Sequence, residues 1–370
     1  MLCRLSLKNF KCFDQLSLDL APITLLCGLN GMGKSSFLQA LLILKQSAVA
    51  GELSDGRLML IGEFADLGTG RDVLFEDADS DDLEFELHGT DMAAPCRLSF
   101  RYSGDADQLT ATDDRSSGPL DEWLAVAPFA HLQYVSAERI GPRKIYTRSE
   151  TAAHRRELGA RGEYVLNYLE ARQNESLPDG DPRCAASSNR RLTAVVDYWL
   201  QDVSPGAHLE FEAIRDADAL VGGFSFERPG DVRTRRFRAT NVGFGLSYIL
   251  PVLTALLAPT GTLCLIENPE AHLHPRGQTR LAELAVRAAL AGVQVIAETH
   301  SDHFMDGVRI AVRNRLIHPH GTAFHYFERD GATTVVSSPR IDTDGRLSSW
   351  PSGFFDQHEE NLAKLLAPRS

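Results

Sequence analysis

Apolar and polar positions alternate over residues 2–8 and again over 16–20, the period of two that marks half-buried strands. The run Ile23-Thr24-Leu25-Leu26-Cys27 is apolar throughout and stops at Gly28, which predicts a strand covered on both faces. From Ser35 to Gln46, Phe37, Leu38, Leu41, Leu42 and Leu44 recur without Gly or Pro and predict a helix. Residues 52–135 are acidic and contain strand-like pieces at 83–87 and 96–102, with an exposed loop over 104–118. Residues 158–200 read as helical around a polar break at 173–190, and strands resume over 208–238. A helix over 246–258 holds Pro251, which must fall in its first turn or kink it. A buried strand at 262–267, a helix at 276–291, a buried strand at 293–298 and short strands within 322–337 follow. Strands alternating with helices predict an α/β fold with a mainly parallel core sheet, an antiparallel β lobe and an inserted helical lobe.

Composition adds limits. Hydrophobic residues make up 43% and charged residues 24% of 370, as in a globular protein. No apolar run is long enough for a bilayer, and Met1-Leu2-Cys3-Arg4 does not open a signal peptide, so a cytoplasmic protein without a membrane partner is expected. Cysteines at 3, 12, 27, 96, 184 and 264 form no Cys-x-x-Cys pair and read as reduced thiols. A net charge of −12 argues against coating nucleic acid over the whole surface. Two basic clusters remain: Arg233, Arg235, Arg236 and Arg238, and Arg139, Arg143, Lys144 and Arg148. Both read first as a solvated strand face and a salt-bridged loop.

Gly28-x-x-x-x-Gly33-Lys34-Ser35 is the pattern of a Walker A phosphate loop, and it follows a buried strand and opens a helix, as that chemistry requires. Glycines let successive N–H groups face phosphates, and the helix directs its positive end at them. The nucleotide-binding set is Asn30, Gly31, Met32, Gly33, Lys34, Ser35 and Ser36. Lys34 supplies a cation to the β and γ phosphates, and Ser35 a hydroxyl to Mg²⁺. Such a loop needs a carboxylate at the end of a neighbouring strand. Glu267, closing Leu263-Cys264-Leu265-Ile266, supplies it, so Ser35 and Glu267 are the expected metal ligands.

The run from Glu267 to Pro275, Glu-Asn-Pro-Glu-Ala-His-Leu-His-Pro, resembles the Walker B and D-loop region of ABC-type ATPases of the OLD and RecF-like class, relatives of the SMC heads. The usual pattern there is Asp-Glu-Pro-Glu followed by Leu-His-Pro. The resemblance extends to Leu7-Lys8-Asn9-Phe10-Lys11-Cys12-Phe13, to Glu298-Thr299-His300-Ser301 as a switch-histidine loop, and to residues 241–247 where the ABC signature belongs. Residues 134–143 and 350–356 narrow it to bacterial ATPases found beside antiviral or restriction-type genes.

The resemblance implies an ABC-type P-loop head that binds and hydrolyses ATP with Mg²⁺. It divides the chain into a first half of the head at 1–135, an inserted helical and β lobe at 136–240, a second half at 241–340, and a tail at 341–370. It implies a homodimer in which Gly243, Gly245 and Ser247 of one copy contact the γ-phosphate held by the other. It places His300 at the γ-phosphate, and Lys11 either at the nucleotide, like a basic residue of related heads, or on the solvated surface. A separate effector such as a nuclease or toxin is the implied partner, with nucleic acid left open. One departure stands out. Asn268 replaces the glutamate that polarises the attacking water, and an amide orients water without accepting its proton. Hydrolysis is then slow, or Glu270, His272 or His300 assists. About 70 residues follow the switch loop, too few for the nuclease domain of OLD proteins, and no heptad run marks a coiled coil. A metal reading of His272, His274, His300 and His303 with Glu267 and Glu270 ranks behind the phosphate-site reading. Two alternatives stay open: a RecF-like DNA-binding repair ATPase, and an ATP-binding scaffold with little hydrolysis.

Overall fold

In the computed structural model, the residues described are 1–90, 92, 94–112, 131–184, 189–228, 230, 232–331, 333–350 and 364–366. The tail segment 351–356 and the loop residues 113–118 singled out from sequence lie outside them.

The central sheet runs β17-β16-β3-β15-β14-β8. Its members are β3 (Ile23–Gly28), β8 (Leu132–Val135), β14 (Leu263–Glu267), β15 (Gln294–Glu298), β16 (Thr322–Asp330) and β17 (Thr333–Ser337). From β8 to β16 neighbouring strands are parallel, and β17 folds back antiparallel on β16. A second sheet is antiparallel throughout, ordered β2-β1-β5-β6-β7-β4. It comprises β1 (Leu2–Phe10), β2 (Phe13–Asp19), β4 (Arg57–Met59), β5 (Asp82–Gly89), β6 (Cys96–Arg101) and β7 (Gln108–Ala111).

Alternation along the central strands divides the core in two. Leu26, Leu265 and Ile296 pack with α1 (Lys34–Val49) against the antiparallel sheet. Leu25, Cys27, Ile266, Val295 and Ala297 face the opposite way, into the helical side. This is the physical reason for apolar runs without a polar face: each strand buries both of its sides.

The helical side holds α3 (Glu150–Arg155), α4 (Val165–Ala171), α5 (Leu192–Val203), α6 (Phe244–Leu256), α7 (Pro275–Leu290) and α8 (Asp302–Arg313); α2 (Gly70–Val73) is a short turn beside the antiparallel sheet. A third sheet joins β10 (Ala207–Ile214), β11 (Ala219–Arg228) and β12 (Val232–Arg233), while β9 (Tyr146–Thr147) and β13 (Phe237–Arg238) also pair with β11. Pro251 sits inside α6 rather than in its first turn. Its ring lies against Gly162, where a Cβ would come within 2.3 Å of it.

Candidate functional site

In open parallel sheets ligands bind beyond the carboxyl ends of the strands. Here Gly28, Glu298 and Glu267 end three adjacent parallel strands, with Glu298 opposite both Leu26 and Glu267 in register. Gly28 has φ +134°, and a Cβ there would lie 2.4 Å from the Phe327 carbonyl oxygen on β16. Gly33 caps α1 at φ +102°, where a Cβ would meet Cys12 Sγ at 2.7 Å. Only glycine fits such a cradle. The 16-residue α1 then points its free N–H groups at the loop.

Lys34 is 2% exposed, and its Nζ donates to the loop's own carbonyls, Gly28 O at 3.0 Å and Leu29 O at 2.7 Å. Burial lowers its pKa, while Glu298 acts the other way. The cleft beside it encloses about 500 Å³ and is bounded by the loop, Lys11, Gln39, Asp72, Glu298 and Arg329. Lys11 donates from Nζ to Gln39 Oε1 at 2.7 Å, and burial lowers its pKa as well. Asp72 is fixed by a capping box with Thr69 at the start of α2. Asn30, Gly31, Met32, Gly33, Ser35 and Ser36 all line this same cleft.

Ser35 Oγ donates to Glu298 Oε2 at 2.8 Å. Lys34 Nζ lies 3.8 Å and His300 Nε2 3.9 Å from Glu298 Oε1. The carboxylate in contact with Ser35 is thus Glu298, while Glu267, expected as a metal ligand, ends the next strand along. The strand beside β3 is β15, not β14. Glu267 is held further along the edge, accepting from Tyr134 OH at 3.0 Å and from the Ala137 N–H at 2.9 Å. Burial raises the Glu298 pKa, opposed by the Ser35 bond and the Lys34 charge.

Asn268 adopts φ +44°, a conformation its short polar side chain tolerates, and its N–H donates to Glu298 O at 2.8 Å. Its Oδ1 is buried without a hydrogen-bond partner, and so is Glu270 Oε2. The other Glu270 oxygen accepts from the His300 N–H at 2.8 Å. Burial raises the Glu270 pKa. His300 is shifted down, by burial first and Lys34 second, which favours neutral imidazole. Beneath this loop, buried Arg139 donates to the carbonyls of Glu267 and Asn268, and burial lowers its pKa to about 10.

Gly243, Gly245 and Ser247 sit elsewhere and do not line the cleft among the described residues. Gly243 is the N-cap of α6, and Ser247 lies within the helix. Gly245 packs on His272, whose carbonyl oxygen a Cβ would approach to 2.7 Å. Ser247 is buried and its hydroxyl faces into its own chain, toward Tyr146, rather than outward. His272 stacks edge-on to Tyr248 at 4.7 Å, His274 caps α7, and His303 lies on the outside 3.7 Å from Asp302. Among the described residues, no group of three His, Cys, Asp or Glu side chains is placed to hold a metal. The Ser35 hydroxyl and Glu298 carboxylate are nonetheless hard oxygen donors of the kind Mg²⁺ takes beside phosphates. In the basic stretch 233–238, Arg236 lies 3.8 Å from Glu212, and Arg235 stacks on Phe237.

Three residues at the site were missed from sequence: Glu298, Arg139 and Arg329. Glu298 had a usable signal, because it ends an apolar run just as Glu267 does. Arg139 had one in its basic cluster and in the segment 134–143, and Arg329 had none.

A model of the family described as "AAA domain, putative AbiEii toxin, Type IV TA system" matches residues 23–306. One described as "Protein of unknown function (DUF3696)" matches residues 317–365. No curated protein matches the sequence. Among solved structures, an SMC head bound to the C-winged helix domain of ScpA is 15% identical, with TM-score 0.56 over 92% of this chain and 98% of that one. An SMC head with an extended coiled coil, bound to the C-terminal domain of ScpA and derived from Pyrococcus furiosus, is 13% identical, with TM-score 0.51 over 99% of each chain. At such identities the likeness is one of fold. No helix among the described residues is long and apolar enough to cross a membrane.

Proposed function

The chain belongs to the AAA_21 family and has the fold of an SMC-type ATPase head, and from this premise we propose that it binds ATP at Gly28–Ser35, hydrolyses it slowly, and works as an ATP-dependent homodimeric switch for a separate effector. The observation that carries this reading is the meeting of Lys34 and Ser35 with Glu298 at the carboxyl edge of the sheet.

Asn30 to Gly33 would offer backbone N–H groups to the phosphates, and Lys34 its cation in place of the Gly28 and Leu29 carbonyls. Ser35 and Glu298, with Glu267 behind them, would hold Mg²⁺. Bound there, the ion neutralises charge on the phosphate oxygens. Asn268 orients a water without taking its proton, which makes turnover slow. Glu270 is the best-supported proton acceptor, since burial raises its affinity for protons and one of its oxygens is unpartnered. His300, held neutral, would supply a hydrogen bond to the terminal phosphate.

In the dimer, the open N-terminus of α6 at Gly243, with exposed Phe244 beside it, would meet the nucleotide of the second copy in a closed two-fold arrangement. Because Ser247 is turned inward, the backbone at Gly243 to Gly245 carries that contact. The effector is proposed as a separate nuclease or toxin in a phage-defence setting, on the sequence resemblance; the family's description names a putative toxin of a type IV toxin–antitoxin system.

Light scattering tests the switch. Mass should double with ATP and Mg²⁺ but not with ADP, and Gly243→Arg should block the doubling. A mass that ignores nucleotide would overturn the dimer reading.

A further inference from the structure

The family model that covers the phosphate loop ends at residue 306, and the segment from 317 onward matches a family of unknown function. The fold nevertheless builds that segment into the nucleotide cleft. β16 runs parallel to β3 with Phe327 opposite Gly28. The Phe327 carbonyl occupies the space a side chain at Gly28 would need, and its buried ring packs 6.4 Å from Phe13 and 6.5 Å from Phe37. Past the hairpin turn, Thr334 Oγ1 donates to Met32 O and the Thr334 N–H to Cys12 O, both at 3.2 Å. The hairpin therefore grips the phosphate loop and the β1–β2 turn together. Arg329, at the end of β16, lines the cleft from this side.

Its position along the cleft is informative. Glu298 ends β15 on one side of β3, and Arg329 ends β16 on the other. The Glu298 side holds Ser35, Lys34 and His300, the groups suited to Mg²⁺ and the terminal phosphates. A nucleotide laid across the loop from that end directs its nucleoside end toward Arg329 and Lys11. A guanidinium there can stack on a purine face or bond the first phosphate.

We propose that the β16–β17 hairpin backs the phosphate loop on the far side of the cleft, and that Arg329, which lines the cleft there, holds the purine nucleoside 5′-phosphate portion of the ligand. The proposal rests on the nucleotide-binding reading above. It gives the start of the segment of unknown function a role in ligand binding.

The test measures dissociation constants for ATP and for ADP, by displacement of a fluorescent nucleotide, for the full chain and for Arg329→Ala, Arg329→Glu and Lys34→Ala. Arg329→Ala should weaken ATP and ADP by the same factor, about tenfold, and Arg329→Glu by more. Thermal unfolding should stay unchanged, since the side chain is on the outside. The proposal fails if both Arg329 variants bind like the wild type, or if ATP alone is weakened, which would put Arg329 at the γ-phosphate. Lys34→Ala separates the two levels. If it binds nucleotide normally, the phosphate-loop reading itself falls. If it loses binding while the Arg329 variants keep theirs, only the present proposal falls.

Discussion

Ser35, in the first turn of α1, donates a 2.8 Å hydrogen bond to Glu298 at the end of β15, a residue 263 positions away in the chain. The bond joins the phosphate loop to the strand beside it. It also makes Glu298, rather than Glu267, the carboxylate nearest the hydroxyl expected to meet Mg²⁺. The two acids therefore have separate surroundings, one in contact with Ser35 and one accepting from Tyr134 and Ala137.

Glu298→Gln should reduce ATP turnover about a hundredfold and raise the Mg²⁺ concentration needed for half-maximal rate. Glu267→Gln should have the smaller effect of the two. Steady-state rates across a Mg²⁺ titration decide this, and the reverse order would return the metal to Glu267.

The glycines of the loop should separate by what surrounds them. Gly28→Ala drives a Cβ to 2.4 Å from a backbone oxygen at φ +134°, so a loss of about 3 kcal/mol is expected in urea unfolding. Gly31→Ala, at φ +76° with nothing within 4 Å, should cost about 1 kcal/mol. Its main effect should fall on nucleotide affinity.

Much of this was readable in the sequence because it is local. β3, β14 and β15 bury both faces, so their apolar runs stand out, and the loop between β3 and α1 carries its chemistry in consecutive residues. Strand order is not local. Nothing in the residues near Glu267 says that β15 lies between β14 and β3, and that order decides which acid meets Ser35. The inward turn of Ser247 depends on the packing of α6 against the His272 loop. β9, with two residues, is too short to show a period, and it exists because β11 offers it an edge. Arg329 reached the cleft only through the pairing of β16 with β3.

Asn268→Glu should raise the single-turnover rate about tenfold, since it restores a proton acceptor beside the attacking water. Thermal stability should fall at the same time. The left-handed backbone at φ +44° suits Asn better than Glu, and the new charge joins Glu267, Glu270 and Glu298. An unchanged or lower rate with nucleotide affinity intact would show that the missing acid does not limit turnover.

Glu270 links the site to pH. Burial raises its pKa, so the folded chain holds that proton more tightly than the unfolded one. The stabilisation is present below the ordinary carboxylate pKa of about 4.3 and is lost as pH rises through the folded value. Above it, the buried carboxylate is a net cost. Glu270→Gln keeps an acceptor for the His300 N–H, so it should unfold at a higher temperature than wild type near neutral pH. The gap should close at about pH 4. Hydrolysis should fall in the same variant, and thermal scans at both pH values with rate measurements check the two effects together.

The most direct test of the account is release of inorganic phosphate from ATP by the purified full chain with Mg²⁺, compared with Lys34→Ala. The account predicts slow, multiple-turnover release by the wild type and a loss of about a hundredfold or more in the variant, because Lys34 is the cation the loop presents to the phosphates. Equal release by both proteins, or tight ATP binding by the wild type with no release, would contradict it.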